Sequence, residues 1–455
     1  MPLPKFGEQI KIEIESLAFG GMGVGKLDDL VVFVDGALPG ESITAQVYRR
    51  KNRFIEARLL QIESESPDRV KPRCRHFPLC GGCRLQHLSY PKQAEYKKKQ
   101  LIDSLRQIGR FEDPPVSNLV PSDRQYYYRN KMEYSFGLNA DKNIILGLHS
   151  RGHYDQVFDL EECFLQSPES PAIIMALRNA AQQMGLPVYD LQTHRGILRY
   201  CVVREGKYTD QRMLNIVTST SSESQIKEML ESLPPGFPAI TSVVNNVNTK
   251  KATIARGEYE NLVRGTSTIM EEIDGIKYRI SANSFFQTNP FSALLLFRQI
   301  ASMADCRGDE RILDLYCGTG SISFSICGRV KEVIGIDSET SAIDDAISNR
   351  ELNGIANCNF YVADSLDYLK IAISQGTTFD IVIADPPRAG MHPKMIPLLS
   401  KLSPPRLIYV SCNPPALARD SIGLWEAGYI LKDVVCIDMF PQTPHIESVA
   451  LFTKT

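Results

Sequence analysis

The chain has 455 residues, of which 43% are hydrophobic and 23% charged, and its formal net charge is −2. That length exceeds one compact core and implies about two to three domains, and no apolar run is long enough to span a bilayer. The start, Met1-Pro-Leu-Pro-Lys-Phe-Gly-Glu, has no secretory core, so a cytoplasmic protein is expected, and its 11 cysteines read as thiols, metal ligands or catalytic groups rather than as a disulfide scaffold.

Residues 1–62 read as short β-strands. Gln9-Ile-Lys-Ile-Glu-Ile-Glu alternates with period two, and Leu30-Val-Val-Phe-Val, Ser42-Ile-Thr-Ala-Gln-Val-Tyr and Ile55-Glu-Ala-Arg-Leu-Leu-Gln-Ile follow, separated by Gly- and Pro-containing turns. Four or five such strands predict a small closed barrel of oligonucleotide-binding type. Phe19-Gly-Gly-Met-Gly-Val-Gly-Lys26 is not a phosphate loop, because no helix pattern follows and the Gly-Lys-Ser/Thr ending is missing; a β-turn between strands is expected there.

Residues 63–265 mix helix and strand. Cys74, Cys80 and Cys83 stand within ten residues, with Cys163 remote in Leu160-Glu-Glu-Cys-Phe-Leu; this pattern suits a structural zinc site or an iron–sulfur cluster, and spacing does not separate the two. Ser89 to Arg110 predicts an amphipathic helix with Lys97-Lys-Lys on its polar side. Between Arg69 and Lys131 fourteen Lys and Arg face five Asp and Glu, which favours a polyanionic partner. Arg124-Gln-Tyr-Tyr-Tyr-Arg-Asn-Lys131 interleaves aromatics with cations, which suits either stacking on unpaired bases, with Arg129 and Lys131 as RNA contacts, or a half-buried strand with snorkelling cations.

Residues 266–455 alternate strand, loop and helix. The strands are Arg311-Ile-Leu-Asp-Leu, Glu332-Val-Ile-Gly-Ile-Asp, Cys358-Asn-Phe-Tyr-Val, Asp380-Ile-Val-Ile-Ala-Asp and Arg406-Leu-Ile-Tyr-Val, predicting an open parallel α/β sheet whose ligands lie beyond the strands' carboxyl ends. Asp314-Leu-Tyr-Cys-Gly-Thr-Gly closes the first strand with only two glycines, which is not the dinucleotide fingerprint. Its leading acid suits a cofactor with an amine end, and Asp337, ending the second strand, suits ribose hydroxyls; together they indicate S-adenosylmethionine. Cys412, in Val410-Ser-Cys-Asn-Pro414, sits where the chain leaves the sheet, at the mouth of that crevice. A thiolate there suits addition to C6 of a pyrimidine, which makes C5 electron-rich; a base must then remove the C5 proton, and Glu447 is the candidate, with His445 and Asp385 weaker ones.

Ser284-Phe-Phe-Gln-Thr-Asn, Asp314-Leu-Tyr-Cys-Gly-Thr-Gly, Asp385-Pro-Pro-Arg388, Tyr409-Val-Ser-Cys-Asn-Pro and His445-Ile-Glu, in this order, resemble the uridine-5-methyltransferases of ribosomal and transfer RNA. The resemblance implies a Rossmann-like class I methyltransferase domain, Cys412 as nucleophile, Glu447 as general base, and Gln287, Tyr316, Asp337 and Asp385 lining the cofactor pocket. Asp337 replaces the longer Glu common among relatives, and Pro415-Ala416 replaces the common Thr. Members with this cysteine pattern hold a [4Fe-4S] cluster, so the resemblance implies that cluster, rather than zinc, on Cys74, Cys80, Cys83 and Cys163. The N-terminal barrel resembles the TRAM domain. The expected architecture is therefore α/β, with a TRAM/OB-like barrel at 1–62, a central α+β RNA-binding domain at 63–265 and a catalytic domain at 266–455. The expected substrate is a uridine of 23S ribosomal RNA, with tRNA as the alternative and a non-catalytic RNA-binding assembly factor as a weaker one. A monomer with no obligate protein partner and no membrane is expected. A cytosine-5 enzyme is disfavoured because the Asp385 motif contains no cysteine.

Overall fold

A computed structural model describes residues 4–28, 30–153 and 155–455. Five strands, β1 (Gln9–Leu17), β2 (Gly23–Leu27), β3 (Leu30–Asp35), β4 (Ser42–Arg50) and β5 (Phe54–Ser64), close into a barrel in the order β1-β2-β3-β5-β4. Alternate residues of each strand fill it, among them Ile10, Ile12, Ile14, Val32, Val34, Ile43 and Ile55. The glycine-rich stretch is only partly the expected turn. Gly20 and Gly21 turn with positive φ, but Gly23 and Gly25 lie within β2. A Cβ at Gly25 would meet the Glu13 carbonyl at 2.3 Å, so close wall-to-wall approach, not the turn, demands glycine there.

The chain then forms α1 (Tyr90–Gln107) and β6 (Val116–Val120) before entering a seven-stranded sheet. That sheet contains β7 (Lys131–Leu138), β8 (Ile144–His149), β9 (Val157–Asp159), β10 (Leu198–Glu205), β11 (Arg212–Thr218), β12 (Ser242–Val247) and β13 (Tyr259–Gly265), ordered β13-β12-β11-β10-β7-β8-β9. Helices α2 (Glu169–Gln183) and α3 (Glu223–Glu231) pack Ile173, Ile174, Leu177, Ile226 and Met229 onto one face of it. A hairpin, β14 (Thr268–Ile273) with β15 (Ile276–Ser281), leads into the last sheet.

The last sheet uses β16 (Arg311–Leu315), β17 (Glu332–Asp337), β18 (Cys358–Val362), β19 (Ile381–Ala384), β20 (Arg406–Ser411), β21 (Tyr429–Ile437) and β22 (Glu447–Lys454), with β6 on its edge, in the order β18-β17-β16-β19-β20-β22-β21-β6. Strands β16 to β20 are parallel; β22 runs antiparallel to both β20 and β21. Helices α4 (Pro290–Ala304), α5 (Ser321–Cys327) and α6 (Thr340–Leu352) share one apolar layer with the sheet. α7 (Ser365–Ser374), α8 (Met395–Leu402) and α9 (Pro414–Glu426) share the other, as a doubly covered parallel sheet requires. No helix among the described residues is long and apolar enough to cross a membrane.

Helix α1 and strand β6 belong to this last layer. Leu101 and Leu105 of α1 are buried with Leu313, Leu315 and Val434, and β6 pairs in parallel with β21. Lys97, expected on the helix's polar side, is instead 1% exposed, and its Nζ lies 2.7 Å from Asp438 Oδ1 and 3.0 Å from the Phe440 carbonyl. A buried cation persists only with such partners, and removing one strands the other. Lys97→Met should therefore lower the stability of the full chain by about 3–5 kcal/mol, read from chemical unfolding followed by fluorescence and circular dichroism. A loss typical of a surface pair would show that Asp438 finds another partner.

Candidate active site

The carboxyl ends of β16, β17, β19 and β20 all emerge on one edge of the last sheet, and strand order departs in both directions from β16. A crevice forms at such a switch point. The turn after β16 is sharply left-handed, with φ of 64° at Tyr316, 54° at Gly318 and 81° at Gly320. A non-glycine residue with that φ needs support. Some comes from Asp337 at the end of β17, whose Oδ2 accepts from Gly318 N at 3.0 Å while Oδ1 accepts from Glu339 N at 2.9 Å. Asp337 thus shapes the glycine turn and retains lone pairs for a further donor.

Asp314, one turn back on β16, is fully buried. Its Oδ2 accepts from Ser323 Oγ at 2.6 Å, and its Oδ1 has no partner among the described residues. Burial raises its carboxyl to about 7. Gln287 arrives from the segment after β15. Its carbonyl accepts from Asn130 Nδ2 at 2.9 Å, and the nearby Phe285 carbonyl accepts from Thr319 Oγ1 at 3.3 Å, which ties the Gln287 segment to the glycine turn. Phe285 itself is exposed.

The second half of the site is set by strand register. Ser411 of β20 pairs with Ser448 of β22, so one step further Cys412 stands opposite Glu447. β19 ends at Ala384 beside Tyr409 of β20, which brings Asp385 to the same edge. The electrostatics agree: the Cys412 thiol is pushed up to about 11 by burial and then by Glu447 and Asp385, while Arg388 pulls it down. Burial raises Asp385 to about 7, with Asp314 adding to the rise. Burial holds the Glu447 carboxyl well above the usual range, Asp385 adds to this, and Arg388 opposes it. His445 is lowered to about 4 by burial, Arg388, Lys97 and Arg129, so it is neutral near pH 7.

Sequence reasoning assigns Arg388 no role, although it ends the Asp385 motif. It is a cation close enough to this thiol and to Glu447 to favour their ionised forms. Its carbonyl is held by Asn413 Nδ2 at 2.7 Å, which joins the loops after β19 and β20. Asp420 of α9 steadies the first of these loops, accepting from Met391 N at 2.8 Å and from Tyr409 Oη at 2.7 Å.

Cys74, Cys80, Cys83 and Cys163 lie apart from this edge and line one cavity of about 450 Å³ with His76, Gln86 and Arg129. Among the described residues no three His, Cys, Asp or Glu side chains form a group that could hold a metal ion. The expected convergence of the four thiols is therefore met only as a shared cavity. Arg129 and Lys131, expected to face RNA, are half-buried: Arg129 Nε donates to the Lys131 carbonyl at 3.3 Å, and Lys131 pairs with Glu133 at 2.6 Å. Tyr128 is buried, donating to the Pro441 carbonyl at 2.9 Å. Arg73 lies 5.0 Å, 5.2 Å and 4.3 Å from the ring centres of Tyr126, Tyr127 and Phe164.

Comparison with known proteins agrees with both ends of the chain. Residues 5–60 match the TRAM domain, and residues 242–455 match the tRNA (uracil-5-)-methyltransferase family. An uncharacterized RNA methyltransferase of Chlorobaculum tepidum is 38% identical, covering 98% of this chain and 97% of its own. Another, from Halalkalibacterium halodurans, is 37% identical over 97% and 96%. The crystal structure of Pyrococcus abyssi tRNA (uracil-54, C5)-methyltransferase in complex with S-adenosyl-L-homocysteine superposes with a TM-score of 0.76 at 31% identity, covering 98% of this chain and 100% of that one. The chain belongs to the RNA uracil-C5 methyltransferase family, as a class I methyltransferase fold carrying an N-terminal TRAM barrel.

Proposed function

We propose that this enzyme methylates C5 of a uridine in RNA through a covalent bond between Cys412 and C6. The observation that carries the reading is the β20–β22 register, which sets a thiol against a buried carboxyl at the mouth of the crevice, with Asp385 and Arg388 beside them. The Cys412 thiol gives up its proton to solvent water as its sulfur adds to C6. The C5–C6 double bond opens toward the O4 carbonyl as an enolate, making C5 the nucleophilic carbon. After methylation Glu447, in its ionised form, takes the C5 proton, the double bond re-forms and the C6–S bond breaks; the released thiolate regains a proton from solvent and Glu447 passes its own to solvent. Asp385, neutral below about 7, donates a hydrogen bond to the uracil ring. The uridine must be extruded from any stack to meet sulfur from above its ring.

S-adenosylmethionine, when bound, supplies an electrophilic methyl on a sulfonium. The residues that would hold it are Gln287, Tyr316, Asp337 and Asp385, and the unpartnered buried Asp314 Oδ1 fits a site awaiting the field of an amine cation. Cys74, Cys80, Cys83 and Cys163, which line one cavity, would hold a [4Fe-4S] cluster, with zinc as the alternative; methyl transfer needs no redox step, so its role would be structural. The domains are the barrel at 1–62, the central RNA-binding domain at 63–265 and the catalytic domain at 266–455, with α1 and β6 of the middle stretch added to the catalytic sheet and its layer. The RNA is large-subunit ribosomal RNA, on the joint presence of the barrel and the four-cysteine pattern. A tRNA substrate is the second reading, supported by the likeness to the Pyrococcus tRNA (uracil-54, C5)-methyltransferase. Nucleoside mass mapping of both RNAs from a deletion strain decides between them.

Cys412→Ala should abolish release of tritium from C5-labelled uridine in RNA while leaving cofactor affinity nearly intact; undiminished release would remove the covalent route. Glu447→Gln should trap a protein–RNA adduct that survives denaturation, visible as a shifted band. Cofactor affinity should also depend on pH. In the free protein Asp314 is protonated below about 7, whereas a nearby amine cation favours its ionised form and lowers that value, so below about 7 binding releases a proton, and affinity tightens as pH rises toward about 7 and levels off above it. Calorimetry with S-adenosylhomocysteine should show this dependence, and Asp314→Asn should flatten it. An equal slope in both proteins would place the proton elsewhere.

A further inference from the structure

The segment from Asp438 to Glu447 carries the proposed base, and it is held by groups outside the catalytic crevice. At its centre is Gln442, which is 3% exposed and sits in the left-handed region at φ 69°. An L residue keeps that conformation only where its surroundings fix it. Here they do so from two directions. Gln93 of α1, 1% exposed, faces it amide to amide: Gln442 N donates to Gln93 Oε1 at 2.9 Å, and Gln93 Nε2 donates to Gln442 Oε1 at 3.0 Å. The Gln442 carbonyl accepts two backbone donors, Arg84 N at 2.9 Å and Leu85 N at 3.0 Å, from the loop that leaves Cys83. Gln93 Nε2 closes the triangle by donating to the carbonyls of Leu85 at 3.0 Å and Leu88 at 2.8 Å.

We infer that Gln93 and Gln442 form a positioning hub that fixes Glu447 for proton removal and ties it mechanically to the cysteine-bearing loop. The hub acts five residues upstream of Glu447, and the chain between is short and pinned: Thr443 Oγ1 donates to the Phe440 carbonyl at 2.8 Å and accepts from His445 N at 3.3 Å. Every polar contact of this network is buried or half-buried, so a lost partner is not replaced by bulk water. Among the described residues neither amide hydrogen-bonds to Cys412, Asp385 or Glu447, so their effect on chemistry passes through the placement of the segment that carries Glu447. The inference rests on the reading of Glu447 as the base. It adds that helix α1 and the Cys83 loop, both far from the catalytic sheet in sequence, set the geometry of the elimination step and leave the addition step alone.

The test separates the two steps. Gln93→Leu removes the amide pair and both carbonyl contacts. Gln442→Met keeps the backbone bonds to Arg84, Leu85 and Gln93 and removes only the side-chain acceptor. Each purified full-length variant is given RNA and S-adenosylmethionine, and the fraction of enzyme held in a denaturation-resistant adduct at steady state is measured with kcat and the KM for cofactor. Misplacing a catalytic group by about an ångström costs up to about a hundredfold. Gln93→Leu should therefore lower kcat by between about tenfold and a hundredfold, raise the adduct fraction, and leave the cofactor KM within about twofold of wild type; Gln442→Met should move the same quantities in the same direction by less. A fall in kcat without adduct accumulation, or unchanged turnover, overturns the hub. Should Gln93→Leu fail to fold, the same criterion is applied to Gln442→Met. Glu447→Gln run in parallel distinguishes failure of the base from failure of the hub. No adduct from Glu447→Gln refutes the base itself, whereas adduct from Glu447→Gln and none from the hub variants refutes only the hub.

Discussion

The site depends on the direction of one strand. Parallel strands β16 to β20 deliver their carboxyl ends to a single edge, which gives the glycine turn, Asp337, Asp385 and Cys412. A further parallel strand would add only another carboxyl end. Because β22 runs the other way, its amino end reaches that edge instead, and Glu447, the first residue of the strand, faces Cys412. A parallel register would have left that residue at the opposite end of the sheet, about six residues or some 20 Å away. The antiparallel pairing thus brings together two groups separated in the chain by helix α9 and strand β21.

Electrostatics follow from placing these groups in a poorly hydrated mouth. A thiol and two carboxyls are all displaced upward by burial, and one guanidinium, Arg388, opposes the shift of the thiol and of Glu447. The resting site is accordingly short of negative charge: thiol protonated, Glu447 favoured neutral, His445 neutral. Charge separation is deferred until a substrate arrives that can use it, and Arg388, on the loop held by Asp420 and Asn413, is the fixed cation against which a thiolate develops. This is the arrangement in which preorganised charge has most effect, since few water dipoles compete with it.

The sequence made the last sheet legible because each parallel strand is a short apolar run ended by an acid, glycine turn or cysteine, and the runs at 311–315, 332–337, 358–362 and 406–410 fall within β16, β17, β18 and β20. The barrel was legible from period-two alternation. What was hidden depended on partners distant in sequence. Lys97 looks solvated beside Lys98 and Lys99, and nothing local shows that Asp438 waits beneath it. β6 is a five-residue strand whose partner, β21, begins more than three hundred residues later. Gly25 looks like a turn residue because its neighbours are glycines; the constraint on it is the Glu13 carbonyl on the facing strand. Arg388 was visible as a letter, but its importance comes from the thiol and the Glu447 carboxyl it acts on.

One of these hidden contacts, Lys97 with Asp438, hangs a segment of the candidate site from a helix early in the chain. The Gln287 segment is carried in the same way as the Glu447 segment. Arg204 of the central sheet, 3% exposed, donates to the carbonyls of Ala282 at 3.2 Å and Ser284 at 2.5 Å. Asn130 donates through its side chain to Gln287 O and through its backbone to Thr288 O, each at 2.9 Å. The cofactor-side segment is thus suspended from the middle domain, and the base-side segment from α1 and the cysteine loop, while the glycine turn and Cys412 belong to the catalytic sheet alone. The mechanism proposed for Cys412, which needs an extruded base, gains from this division: the two segments proposed to flank that base hang from the middle stretch of the chain, and the proposed nucleophile immediately follows a strand of the catalytic sheet.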